Sequence, residues 1–543
     1  MTLKDWEDKL KAKRMQTPWR QFLMEICSRA PVVYTRERWT ISKFPKSDRI
    51  GGVTTSIHFA DTDHMLTDDI SSTGRSFFDT LFQIVQSAVF PGMRHLHAEN
   101  ADYSDIVINS QTAYLSNTVI TGCENVVYST SVKDDSRNVF ESMMVWNNCE
   151  SVFSSKSIIN SYNIFYSQSI HNSANIWFSH NLVGCSECIS CDHLENASYC
   201  ISNKSLGKEE YIKQKKILLA RKETFTDSYQ RILSIPWDNL ICTDTDGKSN
   251  IECQDISNSY YCYNVHHGRN LFLHGSTKWA ESSFDCYTGW SPRVTNMYGV
   301  TSSWNCENIY CSAMIDEWSS NLYYCMYCGA CSFCLGCIGL QNKSYCIFNK
   351  QYTKEEWYEK VDDIFSQIEK LPSCQRGVGG DLSSQLGDFF PASMCPFYFN
   401  DTAAYLIDSS FTKEEVTQAW YLRRDAPIKV DIPVGSRLVL TSELGKYEWR
   451  MIDGEFIPQT RHPERNEVES KDLISLSWDP STAVGMTQTR WIDPEILNII
   501  IQDESWNVYR IIKMEYDFLM KHGLPLPRQH WLERMKQNFK IVS

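Results

Sequence analysis

Counted in threes, residues 161–194 fall into two alternating registers. Ser161, Ser167, Ser173, Ser179, Cys185 and Cys191 occupy one, and Ile164, Ile170, Ile176, Leu182, Cys188 and Leu194 the other. The centres of the surrounding motifs, Val126, Val139, Val152, Ile164, Ile176, Cys188 and Cys200, advance by 12 or 13 residues. A fixed short period means that each unit is one turn of a stack, burying its core only against its neighbours. Twelve residues are too few for a helical hairpin or a leucine-rich coil. They suffice for one flattened rung of a β-solenoid, two short strands joined by tight turns. The turns break the two-residue alternation of a strand, so that every third side chain faces a narrow interior. Ser, Ala and Cys fit where the walls approach closely, and Ile, Val and Leu fill the wider places. Rungs stacked about 4.8 Å apart pair each backbone group with the rung above and below.

A second series, Leu271, Phe284, Met297, Ile309, Leu322, Cys334 and Cys346, repeats the advance. Both series end alike: YCISNKSLGKEEY at 199–211 and YCIFNKQYTKEEW at 345–357 are displaced by 146 positions. Each ending passes into a Lys/Glu-rich helical stretch, the second with a capping box at Thr353–Glu356. A helix there is physically sensible, because the end of a solenoid is an open sheet edge.

The predicted fold is mainly β, a parallel β-solenoid (β-helix) of 12–13-residue rungs in two segments, with helical caps and a small α+β C-terminal region. It has about 15 rungs and a length on the order of 70 Å. Residues 1–100 form an N-terminal helix and a region expected to cap the first rung. The first segment spans 101–204, a helical insertion and linker 205–250, and the second segment 251–349. A capping helix occupies 350–370, a Gly/Pro-rich linker and helix 371–440, and a C-terminal α+β domain 441–543. Helices are expected from Thr412 (TKEEVTQAW) and from Pro494 (PEILNII).

Net charge is −13, which argues against an extended phosphate-tracking surface. The opening stretch is charged and helical in character, without an apolar signal-peptide core, and no later stretch reads as a membrane span. The expected location is cytoplasmic or virion-associated, not one reached through a classical secretion signal. The 21 cysteines, in a chain too long to need disulfide staples, point to a reducing compartment.

Cys325, Cys328, Cys331, Cys334 and Cys337 form a C-x-x-C ladder. Alone, such spacing suggests zinc or an iron–sulfur cluster, with Cys325, Cys328, Cys331 and Cys334 as the ligands. Here the ladder sits on the grid that elsewhere carries Ser, Ile and Leu. The reading adopted is therefore reduced interior filler with no cofactor.

Outward positions carry Phe140, Phe153, Phe165, Trp177 and Ile189 in one segment, and Tyr310 and Tyr323 in the other, with Asn163 and Asn175 beside them. Such an aromatic and amide face either binds a glycan or protein partner or is covered by the chain's own end domains. Catalytic constellations are thin. His266, His267 and His274 lie near Asp255, Glu281 and Asp285; Asp316 and Glu317 are adjacent; Asp61, Asp63 and His64 form a short DTDH cluster. None amounts to the paired acids of glycoside hydrolysis, so no enzyme activity is expected. The basic tail, with Arg510, Lys513, Lys521, Arg528, Arg534, Lys536 and Lys540, offers contacts to nucleic acid or to the acidic body.

Three stretches, GACSFCLGCIGLQNKSYCIFNKQYTKEEWYEK, GDFFPASMCPFYFNDTAAYLIDSSFTKEEV and YRIIKMEYDFLMKHGLPLPR, occur in that order. From about residue 100 onward the chain resembles an uncharacterised group of large Cys-rich repeat proteins from candidate-phyla bacteria and metagenomes. The resemblance implies no established activity. It implies a C-terminal element similar to a treble-clef or ribbon-like zinc finger, with ligand pairs near Gln502 and Ser505 and near His530 and Glu533. Gln and Ser are poor ligands for structural zinc, so the resemblance implies a finger fold that has lost its metal.

The expected function is that of a non-enzymatic structural and interaction protein, a rigid scaffold for assembly with other protein subunits or with itself, as in a virion or another particle. The alternatives are a carbohydrate-binding or carbohydrate-cleaving β-helix protein and a nucleic-acid-associated protein acting through the tail. No membrane partner is expected.

Overall fold

The computed structural model describes residues 2–12, 19–29, 58–59, 77–89, 95–220, 222–235, 283–289, 295–303, 305–315, 318–370, 389–395, 397–425, 435–452, 455–458 and 490–540. Two compact units result. One comprises Met1–Leu96 and Pro236–Ala426, the other His97–Ile235 and Pro427–Val542.

In the second of these units the first repeat is a parallel β-solenoid, its strands shared between sheets of 10 and 9 members. Val126, Val139, Val152, Ile164, Ile176, Cys188 and Cys200 form one inward column. Val119, Val132, Val145, Ile158, Ile170, Leu182 and Leu194 form another, and together these columns make the core.

The three-residue grid has a backbone cause. Each triplet places one residue inward, one outward and one in the left-handed region, as in Ile164, Phe165 and Tyr166 (φ 50°), then Ser167, Gln168 and Ser169 (φ 56°). The pattern continues through Asn172 (φ 48°) and Asn175 (φ 57°), so the chain turns at every third residue. Left-handed φ is disfavoured by about 1 kcal/mol or more for most residues and least for Asn, which explains the asparagine content. Asn163 and Asn175 also join across rungs through an amide hydrogen bond of 2.8 Å. Where bulky residues take the position, ring stacking offsets the strain: Tyr166 and Phe178 stack at 5.3 Å and 12°.

Inward serines serve the backbone. Ser129 Oγ donates to the Val127 carbonyl at 2.8 Å and accepts the Ser142 N–H at 3.0 Å, and the pattern recurs from rung to rung. The 13-residue rungs carry one extra left-handed residue at a single corner, Gly122, Asp135 or Asn148, stacked one above another.

In the other unit the described rungs of the second segment run from Ser283 to Ile347, with Met297, Ile309, Leu322, Cys334 and Cys346 in one inward column. Residues 251–282, with the expected centre Leu271, lie outside the described residues. One expectation is corrected. The register sets Ser283 against Met297, and Phe284 against Tyr298, so Phe284 is not a column centre. A 14-residue spacing at this rung shifts the sequence period by one place.

Both segments end in the expected helix, Lys208–Ala220 or Lys354–Lys370, reached through an antiparallel return strand, Lys204–Ser205 or Lys350–Gln351, that was not expected. Thr353 and Glu356 form the expected capping box, as do Thr412 and Glu415. The segment from Pro494 is only a short 3-10 helix, Pro494–Asn498. The β-branched run that follows forms the strand Ile499–Gln502, paired with Arg437–Leu440.

The N-terminal helix Leu3–Ala12 packs on the second segment, within its own unit. Trp6 of the helix Leu3–Ala12 packs on Tyr310 at 5.6 Å and Tyr323 at 6.1 Å, in the second segment. Leu3 N–H also donates to Asp362 at 2.8 Å. The two outward tyrosines supply the apolar seat that this helix needs.

Candidate functional site

The outward aromatic positions form the expected column, and the protein's own elements cover it. Phe140, Phe153, Phe165 and Trp177 are in register and between 2% and 6% exposed. Phe518 of the helix Lys513–His522 lies 4.3 Å from Phe140 and 5.8 Å from Phe153. Phe225 of the helix Lys222–Ser234 closes on Trp177 at 6.1 Å and Phe178 at 5.3 Å. Tyr310 and Tyr323 stack at 5.4 Å beneath Trp6. Asn163 and Asn175 lie in the amide ladder beside the column.

Cys191 and Cys325 hold the place of serine, whereas Cys188, Cys200, Cys334 and Cys346 stand in the aliphatic columns. Cys191 N–H donates to Ser179 Oγ at 3.1 Å, and Cys325 N–H to Ser312 Oγ at 3.0 Å. The thiols of Cys325, Cys328, Cys331 and Cys334 each point at the carbonyl two residues back, at 3.2 to 3.5 Å. Burial pushes Cys123 and Cys149 up to about 12, whereas in the ladder hydrogen bonds from the Cys328 and Cys334 thiols hold Cys331 down to about 3. Among the described residues the cysteines are buried, and no group of three or more His, Cys, Asp or Glu side chains is arranged to hold a metal.

Asp61, Asp63, His64, Asp255, His266, His267, His274, Glu281, Asp316 and Glu317 lie outside the described residues. Asp285 falls on the strand Ser283–Gly289. The tail's cations are largely engaged within their own unit: Arg510 on the Leu497 carbonyl, Lys513 on Asp517, Arg528 on Glu448, Lys536 on Glu533. Arg534, 8% exposed, bridges Glu141 and Glu515.

The four positions of the implied metal site do not fit zinc. Between them stands Asp503, whose Oδ1 accepts the Ser505 and Asn507 N–H groups at 2.9 Å. Its Oδ2 accepts the His530 N–H at 3.0 Å. His530 Nδ1 is occupied by the Leu532 N–H at 3.2 Å, and Glu533 by Lys536. A carboxylate thus ties the 503–507 turn to the helix Trp531–Phe539 through hydrogen bonds.

Beside this turn opens a cavity of about 800 Å³. Its floor is Glu141 with Arg534, and Ser154 Oγ donates to Glu141 Oε2 at 2.9 Å. One wall is the Pro525–Arg528 loop, held by Glu448: Leu526 N–H donates to Glu448 Oε1 at 2.5 Å and Arg528 to Oε2 at 3.2 Å. Tyr509 fixes the same loop by donating to the Pro527 carbonyl at 2.7 Å. Tyr229 and Gln230 also line it, with Tyr229 at 4.9 Å from Tyr166. Sequence reasoning missed this cavity, whose lining comes from five separate stretches with no shared period.

No family model matches the chain, and no curated protein matches it. Among solved structures it aligns with a putative acetyltransferase from Desulfovibrio desulfuricans G20 at 10% identity, over 50% of this chain and 71% of that one, with a TM-score of 0.11. So low a score carries no argument about fold or activity.

Proposed function

We propose that the chain is a non-enzymatic interaction protein, a β-solenoid scaffold whose C-terminal domain associates with a second copy of the same chain. One observation carries this reading. Among the described strands, Arg437–Leu440 has a single neighbour, Ile499–Gln502, and so forms the edge of its sheet. Leu438 and Leu440 on that edge are 52% and 48% exposed. Trp506, in the turn after the neighbouring strand, is 79% exposed. Proteins ordinarily protect such edges with charge or proline, and an apolar open edge suits pairing with another chain. A two-fold arrangement lets the same strand serve both copies. A particle built of repeated copies, such as a virion, is the setting that suits a scaffold of this kind.

The acids nearest the cavity support the non-catalytic side of the reading. Both oxygens of Glu141 are engaged, one by Arg534 and one by Ser154. Size-exclusion chromatography with light scattering tests the proposal on the full chain. The expected result is concentration-dependent association of the wild type and a monomer for Leu438→Asp/Leu440→Asp. A wild-type chain that stays monomeric at high concentration overturns it.

A further inference from the structure

We infer that the cavity between the first solenoid and the Pro525–Arg528 loop is a binding site for a neutral oligosaccharide. The class of ligand follows from which wall groups are still free to bind. Among the described residues six charged side chains line the cavity: Glu141, Asp503, Glu504, Arg528, Glu533 and Arg534. Five are already spent within the protein. Glu141 and Arg534 hold each other, Arg528 holds Glu448, Glu533 holds Lys536, and Asp503 accepts three backbone N–H groups. Glu504, on the exposed rim, is the sixth. Among the described residues of the lining, an anionic ligand would therefore meet no unpaired cation, and a cationic one only the Glu504 carboxylate. Recruiting any other charge means breaking an ion pair, several of whose members are buried, which is strongly unfavourable.

What remains is neutral and dense in hydrogen-bonding groups. The lining includes the amides of Gln230, Gln529 and Gln537 and the hydroxyls of Ser442 and Ser505. A primary amide offers two donors and two acceptor lone pairs, matching a sugar hydroxyl that both donates and accepts. The half-buried Tyr229 contributes an aromatic surface to the lining, of the kind that packs against the C–H face of a pyranose. The Glu448 and Tyr509 contacts fix the Pro525–Arg528 loop before any ligand arrives, which lowers the ordering cost of binding. The volume lies in the range of small-ligand sites and accommodates two or more sugar rings. This inference is independent of the proposed self-association, which involves a different strand.

Isothermal titration calorimetry of the full chain tests it, with maltohexaose, cellohexaose, xylohexaose and chitohexaose as neutral probes and oligogalacturonate and a heparin hexasaccharide as charged ones. The expected result is saturable binding of at least one neutral probe and none of the charged ones. Tyr229→Ala and Gln537→Ala should each weaken that binding by about tenfold or more, with unfolding unchanged for Gln537→Ala. The inference is overturned by absence of binding for every neutral probe. It is equally overturned by preferential binding of a charged probe, or by affinity that persists in Gln537→Ala and in the exposed Gln230→Ala.

Discussion

Asn349 clasps Ile338 as if it were the peptide group of the next rung. Its Oδ1 accepts the Ile338 N–H at 2.9 Å and its Nδ2 donates to the Ile338 carbonyl at 2.9 Å. Displaced by 146 positions, Asn203 does the same to Asp192, at 2.8 and 2.9 Å. Each backbone N–H of these asparagines meets the sulfur of the last-rung cysteine, Cys337 or Cys191, at 3.4 Å. One side-chain amide thus satisfies the donor and acceptor that the open edge would leave bare, and both segments share this terminator.

The two clasps differ in burial, which separates their energies. Asn349 is 6% exposed, whereas Asn203 is open to solvent. Asn349→Ala leaves two backbone groups unpaired away from water and should destabilise its unit by about 2 kcal/mol or more. At Asn203→Ala water replaces the amide, and the loss should stay below about 1 kcal/mol. Urea unfolding with amide exchange at residues 338 and 192 checks the difference; equal losses would contradict it.

The interior serines can be tested by replacing one hydroxyl. Ser167 Oγ donates to the Phe165 carbonyl at 2.8 Å and accepts the Ser179 N–H at 3.1 Å. Ser167→Ala removes that acceptor and should cost about 1 to 3 kcal/mol. Ser167→Cys should cost less, because sulfur already accepts backbone N–H groups at equivalent places. Thermal unfolding of both variants gives the order, and a cysteine variant weaker than the alanine one would refute the equivalence.

Covering the aromatic column is the main work of Phe518. Its ring lies within 4.3 to 6.5 Å of Phe140, Phe153 and Phe165. Phe518→Ala should destabilise the unit by about 3 to 5 kcal/mol, the usual loss for a large buried ring. Binding of a hydrophobic dye should rise as the column is uncovered. A loss under about 1 kcal/mol would mean that the column and the C-terminal helix are not energetically joined.

Acid should loosen this unit through its histidines. Burial holds His530 down to about 4, from the usual 6.5, while Asp503, Glu533 and Lys536 act on it with smaller and opposing effects. The unfolded chain therefore takes up the proton first. The contribution of His530 is complete above pH 6.5 and is lost as pH falls toward 4, amounting to at most about 3 kcal/mol. His522, held down to about 3 against Phe165 and Phe518, adds in the same direction. Asn at 530 keeps a helix-capping acceptor without titrating, so His530→Asn should flatten the stability curve between pH 6.5 and 4. An unchanged slope would exclude His530 as a contributor.

The solenoid was legible because its constraint is local and repeated: an inward residue every third place shows in the sequence as Ser161, Ile164, Ser167 and Ile170. The slip at Phe284 marks where that logic fails, since one longer rung moves the period without changing the residue types. The covers were not legible. Phe518 meets Phe140 across 378 positions, and such a pairing leaves no periodic trace. Nor was the cavity, since Glu141, Tyr229 and Arg528 are ordinary residues until separate stretches of chain bring them together. The terminal clasp stood in the sequence as the paired NK motifs after YCIS and YCIF, but its chemistry needed the register.

The central claim is that the solenoid's aromatic column is covered within the chain and that the edge strand Arg437–Leu440 is left to meet another copy. Hydrogen–deuterium exchange of the full-length protein, measured dilute and concentrated, tests this most directly. The account predicts that amides of residues 437–440 gain protection as concentration rises, while those of rungs 150–189 keep the same high protection throughout. Exchange at 437–440 that ignores concentration, with protection appearing instead along the aromatic column, would contradict it.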